Sequence, residues 1–305
     1  MKLSIVTTLY KSSPYVDEFY ERISKEAQRI TDDYEIIFVD DGSPDDGLQK
    51  CITLCQLDQK VTVIELSRNF GHHKAIMTGL SHARGDFVFL IDADLEEEPE
   101  LLGKFWSELQ NSEDLDVVYG VQRQRKGTFF ERISGELFWK VINIFSTIEI
   151  PKNILTARLA TKAYNDALIK YQESELFIAG VWADAGFRQK PIITNKFSKS
   201  ETTYTFRKKI SLLVTSITSF SGKPLVYIFN IGLFTTFVSF LFILKLLFNK
   251  LFYGVDFEGW TSLIVSVWFF GGLIILLLGV IGIYLSKIFV EAKNRPYTIV
   301  RKYYK

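Results

Sequence analysis

Residues 224–244, PLVYIFNIGLFTTFVSFLFIL, and 259–286, GWTSLIVSVWFFGGLIILLLGVIGIYLS, contain no Asp, Glu, Lys or Arg. A helix rises about 1.5 Å per residue, so each run is long enough to span a hydrocarbon core of about 30 Å. Two such runs joined by a short polar stretch predict a transmembrane hairpin rather than a pair of buried core helices. A composition of 48% hydrophobic and 15% aromatic residues agrees, being richer in apolar side chains than a water-soluble chain of this size needs.

Flanking charge gives the orientation. Arg207, Lys208, Lys209 and Lys223 precede the first run, and Lys287, Lys293, Arg295, Arg301, Lys302 and Lys305 follow the second. The connecting stretch sets Lys250 against Asp256 and Glu258, with Lys245 at its edge. Basic residues at both outer ends predict that both face the cytoplasm and the short loop faces out. The expected layout is a cytoplasmic catalytic domain over 1–205, a juxtamembrane amphipathic segment over 206–223 and a first span over 224–248. An external loop over 249–260, a second span over 261–286 and a basic cytoplasmic tail over 287–305 follow. The N-terminus enters a strand pattern at once, with no long apolar leader to be cleaved.

The first two hundred residues read differently. Apolar β-branched runs at 3–9, 34–40, 61–66 and 86–92 alternate with helical patterns near 15–30, 46–57, 71–83 and 98–111. That alternation predicts βαβ units on a mostly parallel sheet covered on both faces, with ligands bound beyond the carboxyl ends of the strands. A net charge of +1 gives no overall basic field, which argues against a nucleic-acid partner. Cys51 and Cys55 stand at helical spacing without a second pair or a histidine cluster, so they read as reduced thiols on a helix face.

Two strand ends carry polar residues suited to chemistry. The second runs into VDDGSPDD, where Asp40 and Asp41 lead into a turn. The fourth runs into DADLEEEPE, which sets Asp92 and Asp94 at the mouth of the sheet, where oxygen ligands hold Mg²⁺ or Mn²⁺ together with substrate phosphates. Glu97, Glu98 and Glu100 read as the first turn of the next helix, favoured by its dipole. His72 and His73 lie at a helix start with no partner at ligand spacing, so they read as solvated or core histidines.

These motifs, with SRNFGHHKAIMTGLSHARGD, YGVQRQRKG, an apolar-faced FFERISGELFWKVINIF, SFSGKPL and a closing KNRPY, resemble family 2 glycosyltransferases of the GT-A fold. The polyprenyl-phosphate branch, which includes dolichol-phosphate mannose synthase and bacterial undecaprenyl-phosphate glucosyltransferases, is the nearest in pattern. The resemblance implies an α/β GT-A catalytic domain followed by a two-helix transmembrane hairpin, and inverting transfer of a sugar from a nucleotide-sugar donor to a polyprenyl phosphate. It also implies that Thr8, Leu9, Tyr10, Asp40 and Asp41 line the nucleotide pocket, with Arg68 and Asn69 on its floor. Asp92 and Asp94 would meet the metal and the donor diphosphate, Glu96 would replace the family's usual Gln as a ligand, and Arg158 keeps the family's Arg near the acceptor; by charge alone, Arg158 with Arg123 or Arg125 could bring the two anions together.

Departures from the family pattern bear on the acceptor side. Thr156 stands where the family has Asp, Ala179 where an Arg is expected, and NKFSKSETTYTFRKK replaces a basic donor-phosphate segment, with Tyr204 aligned to the family pattern and Lys196 or Lys199 as candidate substitutes for the missing basic groups. A lipid phosphate, with a second pKa of about 6, attacks without a protein base, whereas a hydroxyl needs one. Transfer to a hydroxyl of a lipid-linked glycan and a non-catalytic nucleotide-binding membrane protein therefore stand as alternative readings. The apolar face over 128–148 suits either the membrane surface or packing on the catalytic domain, Arg123 and Arg125 suit either surface charge or phosphate, and the layout is compatible with a homo-oligomer through the transmembrane and juxtamembrane segments.

Overall fold

Every residue of Leu3–Leu9 is buried, which only a strand covered on both faces and paired on both edges allows. This strand, β1, lies inside an eight-stranded sheet of a computed structural model that describes residues 1–112, 114–122, 151–173, 176–195, 222–253 and 259–305. Arg123, Arg125, the 128–148 face, Lys196, Lys199 and Tyr204 lie outside the described residues.

The sheet adds β2 (Tyr34–Asp40), β3 (Val61–Leu66), β4 (Phe87–Leu90), β5 (Val117–Gln122), β6 (Ile154–Thr161), β7 (Gln189–Thr194) and β8 (Val300–Tyr304), in the order β7-β5-β6-β4-β1-β2-β3-β8. β4, β1, β2 and β3 are mutually parallel, as the alternation of strand and helix patterns requires. β6 runs antiparallel to both β4 and β5, and β8 antiparallel to β3.

One face carries Leu3, Ile5, Ile36, Phe38, Val63, Phe89 and Ile91. They pack with Phe19 and Ile23 of α1 (Val16–Ile30), Cys51 and Cys55 of α2 (Gly47–Leu57) and Leu102 and Phe105 of α4 (Leu101–Gln110). The two cysteines are free and buried, and burial pushes the Cys51 thiol far up, out of the reactive range. The other face of β1 and β2 takes α3 (His72–His82). Beyond it, α5 (Lys162–Leu168) and α6 (Ile178–Asp184) follow β6. α3 approaches closely because Gly79 has no side chain: a Cβ there would stand 2.4 Å from a Val6 methyl and 3.0 Å from a Val39 methyl.

Two helices, α7 (Lys223–Tyr253) and α8 (Trp260–Ala292), belong to a separate compact unit. They contain stretches long and apolar enough to cross a membrane, Lys223–Phe242 with mean hydropathy 2.0 and Ser266–Ala292 with mean hydropathy 2.5, and neither stretch is buried by protein. The chain after α8 departs from the expected basic tail. Residues 295–305 belong to the same compact unit as the sheet, and 300–304 form its edge strand β8. Their β-branched and aromatic content carried a strand signal that the basic residues obscured.

Gly79→Ala should lower stability by about 1–3 kcal/mol, because overpacking outweighs a helix-propensity gain of about 1 kcal/mol. A lowered thermal midpoint of the purified protein checks this, and an unchanged or raised midpoint would show that α3 can retreat from β1 without cost.

Candidate functional site

From Ile91 to Glu100 the chain alternates. Ile91, Ala93, Leu95, Glu97 and Pro99 are buried, while Asp92, Asp94 and Glu96 are half-buried. Leu95 holds a left-handed backbone, φ 56°, which a leucine adopts at a cost of about 1–2 kcal/mol. Its side chain joins the hydrophobic core, and that burial compensates for the strained turn. Between these inward anchors Asp92, Asp94 and Glu96 line a cavity of about 410 Å³ with Thr8, Tyr10, Lys11, Ser12, Tyr15, His72 and Ala93. Asp94 accepts the Glu96 backbone N–H at 2.9 Å, which stabilises the turn.

Among the described residues no three His, Cys, Asp or Glu side chains gather as a ready-made metal cage. Carboxylates in a cavity still fit Mg²⁺ or Mn²⁺, because such ions are held by one or two carboxylates while waters and substrate phosphates complete the shell.

His72 is the residue that sequence reasoning missed. Its Nδ1 lies 3.1 Å from Thr8 Oγ1, and its Nε2 lies 3.4 Å from Asp92 Oδ1. A carboxylate only accepts, so Nε2 carries the proton towards Asp92. The ring thus links the end of β1 to the loop after β4, a proximity with no signal in local spacing. His73 turns inward instead: its Nδ1–H donates to the Leu176 carbonyl at 3.0 Å, and burial lowers its pKa.

The expected nucleotide-binding residues divide. Thr8 and Tyr10 line the cavity, whereas the Leu9 side chain is fully buried in the core, because successive strand residues point to opposite faces. Asp40 and Asp41 are buried, and neither lines the cavity. Asp40 accepts the Gly42 and Ser43 N–H groups at 3.2 and 3.3 Å, and burial raises its pKa to about 6. Asp41 accepts Phe70 N–H at 2.6 Å and Gly71 N–H at 3.0 Å, and burial raises its pKa as well. These bonds fasten the loop that leads into His72. Arg68 and Asn69 lie exposed on that loop and outside the cavity. Their backbone presses on Gly42, whose φ of +64° and distance of 2.6 Å from a would-be Cβ to Asn69 N admit only glycine.

Two further assignments change. Glu97 is no helix-start residue: α4 begins at Leu101, and Glu97, fully buried, accepts Thr156 N–H at 3.1 Å and Ala157 N–H at 2.6 Å. Glu100 precedes α4 and takes a two-pronged bond from Arg22, at 2.9 and 2.6 Å. Arg158 does not line the Asp92 cavity. It lines a second one of about 230 Å³ with Tyr119, Trp182 and Gln189 among others. Its guanidinium sits 3.0 Å from the centre of the Trp182 ring, donates to the carbonyls of Thr156 and Leu155 at 3.4 Å, and has its pKa lowered to about 10 by burial.

Comparison with known proteins gives the chemistry a frame. Residues 4–169 match the family model described as Glycosyl transferase family 2. A Mycobacterium tuberculosis (strain CDC 1551 / Oshkosh) protein provisionally named among the glycosyltransferases is 49% identical over 304 residues, covering 100% of this chain and 89% of its own. A bactoprenol glucosyl transferase of Shigella phage SfII is 30% identical over 304 residues, covering 99% of this chain and 98% of its own. A solved structure described only as a mycobacterial protein superposes with a TM-score of 0.50 at 16% identity, over 71% of this chain and 74% of that one. At that identity the likeness concerns the fold alone.

The buried carboxylates give two stability predictions. Glu97→Ala strands two backbone donors and should cost about 3 kcal/mol, and Glu97→Gln, which keeps one acceptor, about 1–2 kcal/mol; denaturation midpoints that match the parent protein would remove Glu97 from this role. Asp40, with its folded pKa raised, binds more protons folded than unfolded between its ordinary carboxylate value and about 6. It therefore opposes folding once ionised, and its contribution becomes more favourable as pH falls through about 6. Asp40→Asn should flatten that part of the stability profile between pH 7 and 5, read as the difference between the two proteins' midpoints.

Proposed function

The chain belongs to glycosyl transferase family 2, and on that premise we propose that it moves one sugar from a nucleotide-sugar donor to a polyprenyl phosphate at a cytoplasmic membrane face. It is a glycosyltransferase with a GT-A sheet. The observation that carries the finer reading is the coexistence, in one chain, of the carboxylate-lined cavity and two membrane-length apolar helices. Nearly full-length similarity to a protein named bactoprenol glucosyl transferase supports a polyprenol-linked acceptor.

In this reading the cavity takes the donor diphosphate. Asp92 and Asp94 would hold Mg²⁺ or Mn²⁺, with Glu96 beside them, and the bound ion would offset negative charge on the departing nucleoside diphosphate. Lys11, exposed and lining the cavity, and the Nε2–H of His72 add positive or donor groups to the same cavity. His72 also orients Asp92. Arg158, with Arg125, belongs to the acceptor side, and its buried guanidinium lining the second cavity supports that placement.

The acceptor argument is chemical. A phosphate with a second pKa of about 6 is largely a dianion at neutral pH and needs no base to attack. Thr156 in place of Asp suits such an acceptor. The nearby carboxylate, Glu97, is held by the backbone N–H groups of Thr156 and Ala157.

Purified protein given labelled nucleotide sugars, a divalent ion and undecaprenyl phosphate should form a lipid-extractable product. It should form none when a lipid-linked glycan replaces the lipid phosphate; the reverse preference would establish a hydroxyl acceptor. Asp94→Asn should lose at least about 100-fold in rate, the scale for removing an electrostatic group from a transferase site, with an unchanged thermal midpoint. The parent rate should rise through about pH 6 and level off, and Thr156→Asp should gain little. A large gain in Thr156→Asp would show that a base was missing.

A further inference from the structure

The strand that closes the sheet edge comes from the chain beyond the last apolar helix. β8 pairs antiparallel with β3 from Val63↔Tyr304 to Leu66↔Val300, with a register shift between Glu65 and Leu66. Without it, β3 would present an unpaired edge. The buried carboxylate of Glu65 accepts from Arg301 at 3.0 Å and from the Tyr304 hydroxyl at 2.8 Å. Removing β8 would take both of these partners from Glu65.

The contacts continue past the strand towards the site. Ser67 N–H donates to the Ile299 carbonyl at 2.9 Å, at the point where β3 becomes the loop leading to His72. The Thr78 hydroxyl donates to the Lys74 carbonyl at 2.9 Å, which uses its only proton. Thr298, 2.8 Å away, is therefore the donor to Thr78. His82, at the end of α3, meets Tyr303 at 3.0 Å. Its Nδ1 faces the Thr78 carbonyl at 2.7 Å and carries a proton there, because a carbonyl only accepts. The segment thus holds the Ser67–Gly71 loop at its start and α3 at its middle and end. His72, which touches both Thr8 and Asp92, lies between these attachments.

We propose that Thr298–Tyr304 is a working part of the transferase site, with Thr298 and Ile299 as positioning residues that fix His72 through the Ser67–Gly71 loop and α3. The donor cavity reaches its working geometry only when the chain beyond the second apolar helix has returned to the sheet. Transferase activity is thereby tied to completion of the membrane hairpin. This rests on the reading of the Asp92 cavity as the donor site.

The test uses the full-length protein in detergent beside a variant ending at Tyr297 and the milder Thr298→Val. Amide exchange of the peptide covering 67–74 should speed up in both variants, more in the truncation. KM for the nucleotide sugar should rise roughly 10- to 100-fold in the truncation, the scale for a displaced site group, with a smaller fall in kcat. A synthetic peptide of residues 295–305 added to the truncated protein should restore slow exchange and a low KM together. Unchanged exchange at 67–74 with unchanged KM in the truncation overturns the proposal. If the truncation fails to fold, parent-like exchange at 67–74 in Thr298→Val does so. Should the parent protein transfer no sugar at all, the donor-site reading fails, while exchange and its reversal by the peptide still decide whether the segment holds the loop.

Discussion

The carboxylate of Asp41 ties together the two loops that frame the Asp92 cavity. It stands at the end of β2, buried, and satisfies the N–H groups of Phe70 and Gly71 on the next strand-to-helix connection. A buried carboxylate is stable only when fully hydrogen-bonded, and backbone donors are partners that cannot rotate away. Gly42 lets the two loops touch, and Gly79 lets α3 lie against β1. The result is that His72, the first residue of α3, reaches Thr8 on one side and Asp92 on the other. Much of what looked like ligand-binding polarity in VDDGS is spent on building the frame.

The acidic run after β4 follows the same logic of division. Strand-like alternation continues past the end of β4, and it sorts the carboxylates by parity. Asp92, Asp94 and Glu96 line the cavity, Glu98 and Glu100 are exposed, and the odd positions are buried. Glu97 falls on the buried side and caps the backbone at Thr156 and Ala157, on β6. One cluster of like charges thus does two jobs at once, with Glu97 turned away from the Asp92, Asp94 and Glu96 carboxylates that share the cavity. Position 156 is held by a carboxylate from another part of the sequence, which gives its departure from the family pattern a local structural context.

The sequence by itself determined the parallel sheet, the helices between its strands and the two membrane-length runs, because these rest on short-range hydrophobic period and on length. It also determined that Asp92 and Asp94 stand at a strand end, since residue order alone fixes that. Tertiary structure decided what each polar residue touches. His72 became a site residue, Leu9 a core residue, Arg158 a member of a second cavity, and the basic residues after α8 a strand on the sheet edge. Those outcomes depend on contacts between segments tens to hundreds of residues apart, and a hydrogen bond such as Thr78 to Thr298 leaves no periodic trace in the chain. Side-chain chemistry was legible from the sequence, but its partners were chosen by the packing of α3 on β1 and by the return of β8 to β3.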